Sequence, residues 1–77
     1  MARPSRMQGT IKSLKREAGY GFIIHRETGV DHFFHRTEVA RDLWEDLKIQ
    51  QLVEFTSVEG PHGRHRAIDV RVVQQHG

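Results

Sequence analysis

Two short segments of this chain alternate aromatic side chains with small, apolar or polar ones. They are Gly-Tyr-Gly-Phe-Ile at 19–23 and Asp-His-Phe-Phe-His at 31–35. Side chains of a β-strand alternate between the two faces of a sheet, so Tyr20 and Phe22 share one face, and Phe33 and His35 also share one. If the two segments pair as neighbouring strands, these four rings form one flat, continuous patch.

Such a patch has two interpretations. Exposed rings on a sheet suit unpaired bases, because every base offers a π-face for stacking. Alternatively, the rings are core residues of a small β domain. Against a core role, the chain has other apolar residues that can fill a core: Ile11, Ile23, Ile24, Phe34, Val53, Phe55, Ile68, Val70 and Val72. The glycines beside Tyr20 favour a functional role, since glycine in a strand often marks close approach by a ligand or another backbone. The pattern alone leaves both interpretations open.

A family resemblance favours the first interpretation. Residues 19–23 resemble the first ribonucleoprotein motif of the cold-shock domain family, residues 31–35 are similar to the second, and Gly-Thr-Ile-Lys at 9–12 resembles the opening strand. The resemblance extends from about Gly9 to Val73. It implies an all-β fold, namely a five-stranded antiparallel barrel of the OB type.

The implied function is binding of single-stranded RNA or DNA with low sequence specificity, as an RNA chaperone or a regulator of transcription or translation. No cofactor and no enzymatic activity are expected. A protein-interaction module and a ribosome-associated OB factor are the alternatives.

The resemblance also assigns contacts to the nucleic acid. By their match to the family motifs, the residues expected to bind are Lys12, Tyr20, Phe22, Asp31, Phe33 and His35. For Asp31, turn capping is an equally good interpretation. Where the family has Trp-Phe after the lysine, this chain has Ser13 and Leu14, so one stacking platform is absent and weaker binding is expected. Arg36 replaces an aromatic residue, and its guanidinium can stack on a base and neutralise a phosphate.

The segment 37–48 contains the only tryptophan, Trp44. Counted without gaps from His35, Trp44 falls where the family carries an exposed, stacking phenylalanine in a long loop, and we predict that it stacks on a base. The alternative is that Trp44 anchors this segment to the barrel. Apolar residues recur every four positions here, at Val39, Leu43 and Leu47, which is typical of an amphipathic helix. The resemblance instead implies a loop, so we expect a helical turn near its start and irregular chain later.

Charge is uneven along the chain, although the net charge is only +2. Basic residues predominate at both ends and acidic residues between Asp31 and Glu59, which suggests one positive side able to attract phosphates. In the turn after Glu59, His62, Arg64 and Arg66 are predicted to hold the nucleic-acid backbone. An ordinary solvated surface is the competing interpretation for both features.

Seventy-seven residues make one domain, predicted as a flexible basic arm at 1–6 and a cold-shock-like OB domain at 7–74. The chain has no cysteine, no apolar run long enough to span a membrane, and no signal-like start. We therefore expect a cytoplasmic monomer without membrane contact.

Six histidines raise the possibility of a metal site. Strand geometry argues against it, because His32 and His35 face opposite sides of the strand. His62 and His65 lie beside two arginines that would repel a cation, and the chain has no cysteine to complete a ligand shell. No metal site is predicted.

Overall fold

The computed structural model describes residues 6–73, which form a closed barrel of five strands. The strands are β1 (Arg6–Lys15), β2 (Tyr20–His25), β3 (Asp31–His35), β4 (Leu52–Glu59) and β5 (His65–Val72). Around the barrel they follow the order β1-β2-β3-β5-β4. Arg6, assigned above to the N-terminal arm, is the first residue of β1; residues 1–5 lie outside the described residues. Within residues 6–73, no helix is long and apolar enough to cross a membrane.

The predicted five-stranded barrel is confirmed, with one difference in strand direction. The pairs β1–β2, β2–β3, β1–β4 and β4–β5 are antiparallel. The remaining pair, β3–β5, is parallel and meets at Phe33 and Arg66. This parallel contact closes the barrel and covers strand edges that would otherwise be free to pair with another chain.

Alternation of inward and outward side chains holds along β2 and β3, where Ile23 and Phe34 are fully buried. It breaks in β5. The register of β4 against β5 shifts, and Asp69 has a left-handed backbone with φ 51°. This bulge changes the phase of the strand, so Ala67 and Val70 face the core, whereas Ile68, expected in the core, is half-buried. Ile24 and Val72 are also half-buried rather than buried.

The two glycines beside Tyr20 are explained by the fold. Gly19 lies in the turn between β1 and β2 with φ +83°, a conformation that disfavours side chains. A Cβ on Gly21 would lie 2.6 Å from the backbone oxygen of Ser13 and 2.8 Å from the ring of Phe34. Close approach at Gly21 is therefore by the neighbouring strand and the core, which corrects the suggestion that these glycines mark a ligand.

The long connection between β3 and β4 contains a 3₁₀ helix at Arg36–Glu38 and a short helix, α1, at Arg41–Trp44. No longer helix forms in this segment, as expected. The guanidinium of Arg16, in the β1–β2 turn, donates hydrogen bonds to the backbone oxygens of Trp44, at 2.8 Å, and of Leu47. These bonds tie the connection to the barrel.

One histidine is part of the core. His32 points inward from β3 and is 3% exposed. Its Nδ1 donates to the backbone oxygen of Val30 at 3.0 Å, so Nε2 accepts from the hydroxyl of Ser57 at 2.8 Å. The rings of His25 and His65 lie 6.1 and 5.2 Å from it. Burial lowers the pKa of His32, and the two neighbouring histidines lower it further; the Val30 carbonyl and, less strongly, the Asp31 carboxylate oppose this.

The buried His32 predicts a specific pH dependence of stability. Because the folded state disfavours its charged form, stability is complete above the unfolded pKa of 6.5 and falls as the pH drops below that value. One proton contributes a slope of at most about 1.4 kcal/mol per pH unit. Urea denaturation between pH 7.5 and 5.5 should show a flatter pH dependence for His32→Val than for the wild type.

The matched control is His62→Asn, which removes an exposed histidine from a position with φ 62°, a conformation that asparagine tolerates. This variant should keep the wild-type slope. A His32→Val protein whose stability fell with pH as steeply as the wild type would contradict the assignment.

Candidate nucleic-acid interface

The outward side chains of the barrel lie in rows that cross the strands. In the central row, Ser13 pairs with Phe22, Phe22 with Phe33, and Phe33 with Arg66, so the row spans β1, β2, β3 and β5. The next row contains Lys15, Tyr20 and His35. The predicted patch of rings therefore exists on one continuous outer face.

Three of the rings touch one another, and we call Tyr20, Phe22 and Phe33 the aromatic platform. Tyr20 stacks on Phe33 with ring centroids 5.4 Å apart and an interplanar angle of 29°. Phe22 meets both of them edge-on, at 6.1 Å from Tyr20 and 5.8 Å from Phe33. All three rings are half-buried. Mutual packing restricts their rotation, so the platform is largely preformed.

His35 extends the platform beside Tyr20 and is oriented by its own strand end. Its Nδ1 accepts from the backbone N–H of Thr37 at 3.3 Å and lies 3.0 Å from that residue's hydroxyl. This caps the 3₁₀ helix at 36–38. With Nδ1 occupied as an acceptor, neutral His35 carries its proton on Nε2, which is the nitrogen able to donate to a base or phosphate.

Lys12 and Asp31, predicted as separate contacts, form an ion pair across β2. Nζ of Lys12 lies 2.8 Å from Oδ2 of Asp31, and the two side chains are 51% and 46% exposed. The carboxylate therefore neutralises the lysine in the free protein and does not cap a turn. Exposed pairs of this kind contribute about 0–1 kcal/mol, so a phosphate can compete for the lysine at little cost.

Basic groups lie beside the platform at the Phe33 end. There, a concave region of about 700 Å³ is formed with the turn at Pro61–Gly63, and His62, Arg64 and Arg66 line it together with Phe22 and Phe33. The structure brings these three predicted residues to the face that carries the rings. The backbone N–H of Arg36 donates to the backbone oxygen of Gly19 at 2.8 Å, and the Arg36 side chain lies along Gly19 and lines a second concave region with Trp44 and Glu45. Arg66, assigned above to the turn, belongs to β5.

Comparison with known proteins agrees with this geometry. Residues 7–73 match the family model described as the 'Cold-shock' DNA-binding domain. The chain is 39% identical over 66 residues to the cold shock-like protein of Aquifex aeolicus, covering 86% of this chain and 93% of that protein. It is 35% identical over 65 residues to the cold shock-like protein CspD of Escherichia coli K12, covering 84% and 88%.

This chain belongs to the cold-shock domain family. A solved structure titled drosophila Unr CSD456 superposes with a TM-score of 0.70 at 36% identity, covering 91% of this chain and 27% of that one. Cold-shock domain proteins bind single-stranded nucleic acids and are not enzymes. The family's two motifs therefore lie on β2 and β3, where the aromatic platform is built.

One residue predicted from the family pattern has a different environment. Trp44 is 4% exposed, and its ring packs edge-on against Phe34 at 5.9 Å and 71°. It is the last residue of α1 and is buried together with Val39 and Leu47. Such a ring is not available to stack on a base. The prediction of stacking is wrong for Trp44, and the alternative, that it anchors the segment to the barrel, is right.

Among residues 6–73, no three histidine or acidic side chains are arranged to hold a metal ion. The histidines instead serve different roles. His32 and His25 are buried at the barrel interior, His35 caps a helix, and His62 lies in the turn before β5.

The ion pair predicts the effect of Asp31→Asn on binding. Lys12 then holds a phosphate without first breaking its ion pair, so affinity should rise by up to about fivefold, the equivalent of the about 0–1 kcal/mol that an exposed pair contributes. Titration of a labelled oligothymidine at several salt concentrations measures the affinity and the slope of log affinity against log salt. In the double variant Asp31→Asn, Lys12→Gln, the gain should be lost and the slope should become shallower than in the wild type by about 0.7, the value for one phosphate contact on a single strand; a double variant with the wild-type slope would contradict the prediction.

The burial of Trp44 predicts that Trp44→Phe changes stability and not binding. The smaller ring leaves space in the core, so the free energy of unfolding should fall by about 1–3 kcal/mol. Affinity for the same oligonucleotide should stay within twofold, at a temperature where both proteins are folded. A large loss of affinity with unchanged unfolding in urea would restore the stacking interpretation.

Proposed function

We propose that this cold-shock domain binds single-stranded RNA or DNA with little sequence preference, and acts as an RNA chaperone or a regulator of transcription or translation. The observation that carries the proposal is the aromatic platform itself. Three touching rings lie on the outer face of β2 and β3, although the barrel core is filled without them.

Stacking supplies most of the affinity in this proposal. Each base that stacks on an aromatic side chain contributes about 1–3 kcal/mol, measured as the loss on alanine substitution. The rings contact the faces of the bases, which all four bases share, so little sequence preference follows. The net charge of +2 and the neutralised Lys12 make long-range attraction to phosphates a smaller contribution.

Individual residues have distinct roles along the bound strand. Tyr20, Phe22 and Phe33 stack on successive bases, and Nε2 of His35 donates to a base edge or a phosphate. Lys12 leaves Asp31 to hold a phosphate or base edge, and Asp31 then accepts from a base amine.

Two groups of basic residues hold the backbone at the ends of the platform. Arg36 does so near Tyr20, and His62 and Arg64 do so beside the concave region. A single strand of nucleic acid that crosses the platform from one group to the other contacts both groups.

Chaperone activity follows from equilibrium capture. A protein that binds only unpaired bases lowers the free energy of open RNA relative to hairpins, by mass action and without ATP. Stacking onto the platform requires bases that are not already stacked in a duplex. We infer that the protein works as a monomer, because one barrel carries all three rings of the aromatic platform. We further propose that it is cytoplasmic and needs no cofactor.

The proposal is tested with Phe22→Ala and Phe33→Ala in fluorescence anisotropy of a labelled seven-base oligothymidine. Each variant should lose about 1–3 kcal/mol of binding free energy at every salt concentration, because stacking is not screened by ions. Ile49→Ala, which removes another exposed apolar side chain (52% exposed) outside the platform, should bind as the wild type does. Circular dichroism and urea denaturation establish that each variant is folded.

A duplex of the same sequence should not compete. If the folded wild type shows no saturable binding at high micromolar concentration, the proposal fails, and a protein-interaction module or a ribosome-associated factor becomes the better explanation. A stable protein partner that is captured after nuclease treatment would support the former, and co-sedimentation with ribosomal subunits the latter.

A further inference from the structure

The central row of the interface ends differently at its two edges. At the β1 edge, Phe22 is followed by Ser13, whose hydroxymethyl group offers no stacking surface. At the β5 edge, Phe33 is followed by Arg66, a long planar group. The platform is therefore truncated toward β1 and extended toward β5.

Arg66 is held on the outer face by its strand. The next residue, Ala67, is 1% exposed and faces the core, so Arg66 points outward beside Phe33. The aliphatic part of the Arg66 side chain lies along Gly60, and the Cδ of Arg66 is 3.3 Å from the position that a Cβ on Gly60 would occupy. The side chain also lines the 700 Å³ concave region together with Phe22 and Phe33. It is thus an exposed group on a rigid strand, adjacent to the rings.

Arg66 is one of the basic residues of the barrel that no acidic side chain in the described part of the chain neutralises. Lys12 is paired with Asp31, and Arg6 and Arg71 are paired with Asp69. Arg66 has no ion pair within 4 Å among residues 6–73. Its guanidinium is therefore available to a ligand without breaking a contact.

We propose that Arg66 is a nucleotide-contacting residue that extends the aromatic platform at the β5 edge. Its guanidinium stacks on the base next to the one carried by Phe33, and its N–H groups donate to the adjoining phosphate. The site it forms with Phe33 and the 61–63 turn accepts one nucleotide of a single strand. This inference rests on the proposed function and adds that the bound strand is displaced away from Ser13 and toward β5.

Arginine is suited to both parts of this role. A guanidinium is planar and weakly hydrated, so it stacks on bases, and its fixed fork of donors matches phosphate oxygens. Lysine carries the same charge on a compact ammonium group, which has no planar surface for stacking. Replacing one by the other therefore separates stacking from charge.

The test compares Arg66→Gln and Arg66→Lys with Arg71→Gln, which removes an exposed arginine from the same strand away from the rings. Arg66→Gln should lower affinity for the seven-base oligothymidine about tenfold and reduce the salt slope by about 0.7. Arg66→Lys should recover the slope but not the affinity. Arg71→Gln should bind within twofold of the wild type.

The outcomes separate this inference from the proposed function. If Phe33→Ala weakens binding but Arg66→Gln binds within twofold of the wild type, the role of Arg66 is overturned and the platform stands. Full affinity in Arg66→Lys would overturn the stacking contact and leave only a charge. If the folded wild type binds no single strand, both the function and the role of Arg66 are overturned.

Discussion

The aromatic platform depends on the absence of a side chain at Gly21. This residue lies between the two outward rings of β2, opposite Phe34 of β3, and a Cβ there would overlap the Phe34 ring and the backbone of Ser13. Without it, β1 approaches β2 closely, and the core ring fits directly beneath the strand. The alternation of the strand then directs Tyr20 and Phe22 outward, in register with the next strand. A side chain at Gly21 would push β1 and the Phe34 ring away from β2, and so disturb the contacts between the rings.

Placing three large rings outside leaves a small chain with few residues for its core. A domain of this size buries only about 60% of its unfolded surface, so each remaining aromatic group counts. Phe34 and Phe55 fill the barrel from β3 and β4, and Trp44 and Leu47 are contributed by the connection between those strands. Trp44 thus adds a large buried ring to the core, while Tyr20, Phe22 and Phe33 lie at the surface.

Features that depend on residues close together in the chain were predictable from the sequence, and features that depend on contacts between distant segments were not. The faces of β2 and β3 were predictable, because a period of two is a local property and the motifs fix its phase. The ion pair of Lys12 with Asp31, the bulge at Asp69 and the position of Arg66 beside Phe33 were not, since each depends on contacts between segments far apart in the chain. The stacking prediction for Trp44 was wrong for a related reason. Counting from a motif locates a residue along the chain, whereas its burial depends on which other segments pack against it.

Acidic side chains neutralise part of the positive charge of this barrel. On one side, Asp69 pairs with both Arg6 and Arg71, and Glu54 also pairs with Arg6; beside the platform, Asp31 neutralises Lys12. Among residues 6–73, eight basic residues make no ion pair, namely Lys15, Arg16, Arg26, Arg36, Arg41, Lys48, Arg64 and Arg66. Two of them, Arg64 and Arg66, line the concave region beside Phe33. Unpaired positive charge therefore lies next to the rings at this end of the platform, while the platform itself is aromatic. Because salt screens exposed charges and does not screen ring stacking, such a surface retains its hold on unpaired bases as ionic strength rises.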